Sequence, residues 1–281
     1  MQLGNFRNAV VLLACSISWT LAPAQDPAPR WTTYESTNFR IYTRGIGHDP
    51  VHIAKLSEAW RDELIQRWLD TECHPWAVPC HLVIHPSRAS YRRVTDHGSA
   101  NTVGCSTVRC DHEKVLLRRI DVRGDLAGSL DKSLPHELTH VVLADSFCDV
   151  AMPAWADEGS AVLADPECLQ ETHRRSLQAA IYEGRSIPLE RMLSSDELAI
   201  GAERAVFYGQ SASLVSFLLE RGAPQLFLKF VRSAASEGAS KALAHHYHIA
   251  DVGELNRLWR QQVIANAGSI VRHGHTIPAF D

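Results

Sequence analysis

Between Ser133 and Pro166 the chain carries two helix-forming segments whose polar side chains converge only if the segments fold back on each other. The first holds His136-Glu137-Leu138-Thr139-His140. Residues four apart in a helix lie one turn apart and about 40° apart around the axis, so both imidazoles leave one face. Leu134, Leu138, Val141 and Val142 give that helix an apolar face, Ser133 is a cap candidate, and Pro135 falls in the first turn. The helix is expected over 133–146. A second, expected over 154–164, starts near Pro153 and must stop before Pro166. It carries Trp155-Ala156-Asp157-Glu158-Gly159. Seventeen residues separate His140 from Glu158, enough to end one helix, turn through Ser146–Met152 and return antiparallel.

Two imidazoles on one helical face can bind one metal ion, and Glu137 beside them can reach a water on it. Zinc takes nitrogen or oxygen ligands at about 2.0–2.2 Å in a tetrahedral array, so a third protein ligand must come from elsewhere. Each residue also has a plainer reading. His136 and His140 suit a polar helix surface, and Asp157 and Glu158 suit the start of a helix, where the dipole favours acids. Asp157 equally suits an acceptor that orients a ligating imidazole from behind.

The pairing of His136 and His140 with Pro153-Ala154-Trp155-Ala156-Asp157-Glu158-Gly159 resembles the gluzincin branch of the zinc metallopeptidases. Closer still is the likeness to the bacterial peptidase MA-like families. It extends to Tyr34-Glu35-Ser36-Thr37-Asn38-Phe39-Arg40 and to Tyr208-Gly209-Gln210-Ser211-Ala212-Ser213-Leu214-Val215. The resemblance implies a zincin-like fold, one zinc ion held by His136, His140 and Glu158, and Glu137 as the base for the attacking water. It implies a peptide or protein substrate. Tyr208 is its candidate oxyanion donor, as in aminopeptidase-type relatives, with His245 and His248 as rivals on the thermolysin-like pattern. That pattern places an Asp four residues after the Glu ligand. Val162 stands there, so another partner must support the imidazoles. Zincin-like enzymes also offer an edge strand to substrate, and residues 115–122 are the expected one. The Gly-x-Met-x-Asn strand of aminopeptidases is missing. Gly98-Ser99-Ala100-Asn101 does not match it, which favours an endopeptidase.

The rest of the chain fits one catalytic unit over 25–281, α+β in class, with a sheet-rich part over 31–126 and a helical part over 127–270. Trp31–Thr43 reads as strand. Asp49-Pro50 reads as a helix start, and 81–85 and 114–122 as strands. Residues 87–112 read as loop-rich. Further helices are expected over 169–183, 205–221, 223–235, 238–247 and 251–265. A formal charge of -4 over 281 residues, with no Lys/Arg block, argues against nucleic acid as a partner.

Residues 1–24 read as a signal peptide. Arg7 precedes an apolar stretch over Ala9–Leu21, and Ala22-Pro23-Ala24 is a cleavage pattern that places the mature start near Gln25. The expectation is an exported protein, periplasmic or extracellular, with no integral membrane span. A lipoprotein anchor at Cys15 is the lesser alternative. Six cysteines then remain, an even number that suggests disulfides, and neighbour pairing gives Cys73–Cys80, Cys105–Cys110 and Cys148–Cys168. A zinc-stabilised envelope scaffold without turnover is the competing function. Glu137 speaks against it, because a structural site has no use for a base beside its ligands.

Overall fold

The computed structural model describes residues 30–45, 47–95, 102–194, 201 and 203–273. The expected signal peptide, Cys15, Gln25 and the Gly98–Asn101 stretch lie outside them. The chain is α+β: among the described residues it forms a five-stranded sheet, with two helices between its strands, and then a run of further helices. β1 (Trp31–Glu35) and β2 (Phe39–Arg44) form an antiparallel hairpin where the sequence suggested one strand. The reversal is fixed by Ser36, Thr37 and Asn38. Glu58 accepts bonds from Ser36 Oγ at 2.7 Å, Asn38 N at 2.8 Å and Asn38 Nδ2 at 2.6 Å. Glu58 belongs to α1 (Pro50–Leu69), which starts as expected, with Asp49 accepting from Val51 N at 3.0 Å and Pro50 at the first position.

α1 carries the chain over the sheet to β3 (Cys80–His85), parallel to β2. After the short α2 (Arg88–Arg92) come β4 (Gly104–Asp111) and β5 (Lys114–Arg123), in the order β1-β2-β3-β5-β4. The expected edge strand is therefore interior: β5 lies between β3 and β4, and β4, from the stretch read as loop, is the edge. The charges of β5 are paired rather than edge-guarding. Arg118 is buried against Asp145 and Val78 O, Arg119 bonds Asp121, and Arg123 bonds Asp125.

Phe39, Ile41, Leu82, Ile84, Ile120 and Val122 are buried between the sheet and the helices α1 and α3 (Ser129–Ala144). α3 starts four residues earlier than expected, with Gly128 at its N-cap in the left-handed region, so Ser133 and Pro135 lie inside it. Then follow α4 (Ala154–Val162), α5 (Glu167–Tyr182), α6 (Leu189–Ser194), α7 (Glu203–Leu219), α8 (Pro224–Glu237), α9 (Ala239–Tyr247) and α10 (Val252–His273). α6 was not anticipated. No described helix is long and apolar enough to cross a membrane.

The disulfide links Cys110 to Cys148, and Cys73, Cys80, Cys105 and Cys168 are free, so the neighbour pairings are all corrected. Cys105 and Cys110 are five residues apart on one strand, about 16 Å, while a bridge needs Cα atoms within about 7 Å. Cys148 meets Cys110 instead of Cys168 because the loop after α3 passes the end of β4, with 5.4 Å between their Cα atoms. Cys80, the first residue of β3, is sealed in the core. A disulfide is compatible with export.

Candidate metal centre

α3 brings His136 and His140 onto one face, their ring centroids 5.0 Å apart. α4 packs against α3 and α7, and the α7 contact is close. A Cβ on Gly159 would stand 2.6 Å from Ser211 O, so only glycine lets these two helices approach this far. Trp155, 2% exposed, anchors α4 against Phe227 and Phe230. Glu158, on the next turn, then meets the imidazoles: Oε2 lies 3.5 Å from His136 Nε2 and 3.9 Å from His140 Nε2.

Each imidazole is held from behind by a carboxylate. His140 Nδ1 lies 2.7 Å from Asp157 Oδ1, and His136 Nδ1 lies 3.0 Å from Asp165 Oδ1. Both Nε2 atoms are therefore left facing Glu158. Glu158 Oε2 is buried and has no hydrogen-bond partner, an expensive state unless something else binds it. One ligand atom from each of the three residues falls within a cluster 4.8 Å across, so the group could hold a metal ion. Ligands of a tetrahedral zinc stand about 3.3–3.5 Å from one another. Glu158 Oε2 is at that spacing from His136 Nε2, at 3.5 Å, and slightly beyond it from His140 Nε2, at 3.9 Å.

The charges respond to this crowding. Burial pulls His136 and His140 down, but the carboxylates outweigh it. Asp165 and Glu158 hold His136 well above the usual imidazole value, and Asp157 carries His140 up to about 9. Burial alone would raise Glu158, yet the two imidazoles bring it below the usual carboxylate range. Glu137 goes the other way: burial pushes it up, against the pull of His136 and His140.

Glu137 leaves α3 toward β4 and is 7% exposed. A Cβ on Gly104 would lie 2.6 Å from Glu137 Oε1, so the missing side chain at the start of β4 makes room for this carboxylate. Tyr208, on α7, lines the same cleft as His136, Glu137, His140 and Glu158. Its phenol is pushed up to about 12 by burial and by the Glu158 charge. Arg204 Nη2 donates to its oxygen at 3.3 Å, and His173 stacks on its ring at 5.6 Å. His245 and His248, the rival donors, lie on α9 and at its C-cap, and neither lines the cleft.

Asp165, Arg204, His173 and Gly104 were not anticipated. Asp165 had one readable signal: it stands in the short turn between the end of α4 at Val162 and Pro166, the N-cap of α5, close in sequence to Glu158. The cleft measures about 1470 Å³ and runs from α5 and α7 across α3 to β4. That exceeds the roughly 300–1,000 Å³ of small-molecule sites and gives room for an extended polymer. No family model and no curated protein matches the chain.

Proposed function

We propose that the protein is an exported zinc peptidase with a zincin-like fold, and that the cleft hydrolyses peptide bonds within extended chains. One observation carries the reading: two imidazoles with Nδ1 tied to carboxylates turn Nε2 toward a buried, partnerless Glu158 oxygen. His136, His140 and Glu158 would hold the ion, and two nitrogens with one carboxylate leave a tetrahedral zinc one open position. When bound, zinc lowers the pKa of water toward about 7 and polarises a carbonyl.

Glu137 supplies the base. Its raised pKa brings the carboxylate nearer the working range of a group that takes a proton and gives it back. Its oxygens would accept the proton of the attacking water and return it to the leaving amine. Tyr208 would donate to the developing oxyanion. Arg204 has donors only, so the Tyr208 oxygen accepts from it and its own hydrogen can be donated, to the Glu158 carboxylate in the metal-free chain and to an oxyanion during turnover.

β4 takes the role first expected of 115–122. It is paired to β5 on one side only, it lines the cleft, and its backbone can add a peptide as a further strand. Such binding reads backbone along the chain and suits an endopeptidase.

The experiment is cleavage of a mixed quenched-fluorescent peptide library by the purified chain, beside Glu137→Ala and a chelated sample. Activity in the first and none in the other two, with zinc retained by Glu137→Ala, is the expected result. A zinc-loaded chain that cuts nothing would move the reading to a non-catalytic binding protein.

A further inference from the structure

The side chains of β4 alternate between two sides. Val108 packs on the core and Gly104 abuts Glu137, so 104, 106, 108 and 110 face the helices. Cys105, Thr107 and Arg109 face the opposite side of the sheet. There Thr107 pairs with Arg119 of β5, and Cys105 pairs with Asp121. A peptide added along β4 would send every second side chain to this outer side.

Arg119 is fixed there by a relay of buried groups. Its Nε and Nη2 donate to Asp121 at 2.6 and 2.7 Å. Asp121, 4% exposed, lies 2.7 Å from His85 Nε2, and His85 Nδ1 lies 3.0 Å from Ser90 Oγ. Burying a carboxylate and an imidazole costs desolvation, and the relay sets the orientation of one guanidinium. Only one edge of that guanidinium is used. Nη1 has no partner among the described residues, and Arg119 lines the cleft. Arg109, two positions past Thr107, is exposed on the same side and adds a second cation.

We infer that Arg119 is a specificity-determining residue that selects an acidic side chain, so that the favoured substrates are extended peptides with Asp or Glu facing the outer side of β4. The inference rests on the peptidase reading of the cleft. A guanidinium already forked onto Asp121 keeps a second edge that fits a carboxylate, which a lysine in its place could not offer. Thr107, short and directly beside Arg119, leaves the approach from the strand edge open.

The test uses two labelled peptides that differ only in Glu or Gln at alternate positions. Their binding to zinc-loaded Glu137→Gln is followed by anisotropy, and their cleavage by the unmodified chain is measured in parallel. The Glu peptide should bind about tenfold more tightly at low salt. Arg119→Gln should bring the ratio near one. Arg119→Lys, which keeps a cation beside Asp121 and so guards against misfolding, should also lose most of the preference. Equal binding of the two peptides, or a preference that survives in both variants, overturns the inference and leaves peptide hydrolysis standing. A preference with no cleavage keeps the selectivity and removes the peptidase reading. No binding of either peptide overturns both.

Discussion

Asp157 Oδ1 and His140 Nδ1 stand 2.7 Å apart, and this contact decides which nitrogen of the ring is free. Asp165 does the same for His136 at 3.0 Å. Neutral ligating imidazoles carry one N–H, and these carboxylates place it on Nδ1, away from Glu158. Asp157→Asn and Asp165→Asn should each weaken zinc affinity about 10–100-fold. Competition with a chelator of known affinity measures it. Unchanged affinity in both would make the contacts incidental.

Gly104→Ala should lower kcat/KM with zinc content unchanged. The added Cβ would meet Glu137 Oε1 at 2.6 Å, and a base displaced by an ångström costs about a hundredfold. Wild-type kinetics would mean that Glu137 works from another position.

Tyr208→Phe should lower kcat about a hundredfold or more if the phenol is the oxyanion donor. Bound zinc should not change, because the hydroxyl is not one of the three ligand atoms. A wild-type rate would take Tyr208 out of the chemistry.

pH reports on the cluster when metal has been stripped from the chain. His140 rises from 6.5 to about 9 on folding, so its contribution is full below pH 6.5 and is lost as pH climbs through 9. His136, also raised, acts in the same direction. Glu158 is lowered from 4.5, so its contribution is present above pH 4.5 and lost as pH falls through its folded value. The stability difference between the metal-free chain and His140→Gln should therefore shrink from pH 6.5 to 9. With zinc saturating, stability should instead gain with pH over this window, because protons no longer compete for the nitrogens. Denaturant melts at several pH values check both slopes, and a flat metal-free difference would contradict the ion-paired arrangement.

Much of this centre is local, and that part was legible in the sequence. His136 and His140 share a face by helical spacing alone, and Pro153 and Pro166 bracket the helix that carries Glu158. Asp157 could be read as an imidazole partner or a helix-start acid, and its bond to His140 favours the first. What escaped depends on distant pairing. The edge position of β4 follows from β3 inserting beside β5, which no property of residues 104–111 announces. Residues 114–122 were expected at an edge. Arg119 and Arg123 pair with acids two residues on, Asp121 and Asp125, but the partner of Arg118 is Asp145, 27 residues away, which no local pattern announces. Cysteine pairing fails for the same reason, since Cys110 and Cys148 are 38 residues apart.

That bridge ties the far end of β4 to the loop between α3 and α4. Closing a loop of 38 residues removes unfolded-state entropy worth about 4 kcal/mol. The double variant Cys110→Ser, Cys148→Ser should lose stability on that order in urea melts. A loss below about 1 kcal/mol would show that strain in the folded chain or residual structure in the unfolded one offsets the entropy of closure.

The central claim is that His136, His140 and Glu158 together hold one ion. Titration of zinc into the metal-stripped chain, followed by calorimetry, tests it most directly, with Glu158→Ala and His140→Ala alongside. The account predicts one tightly bound zinc per chain and a sharp loss of affinity in both variants. A chain that binds no zinc stoichiometrically, or a Glu158→Ala variant that binds it as the unmodified chain does, would contradict it.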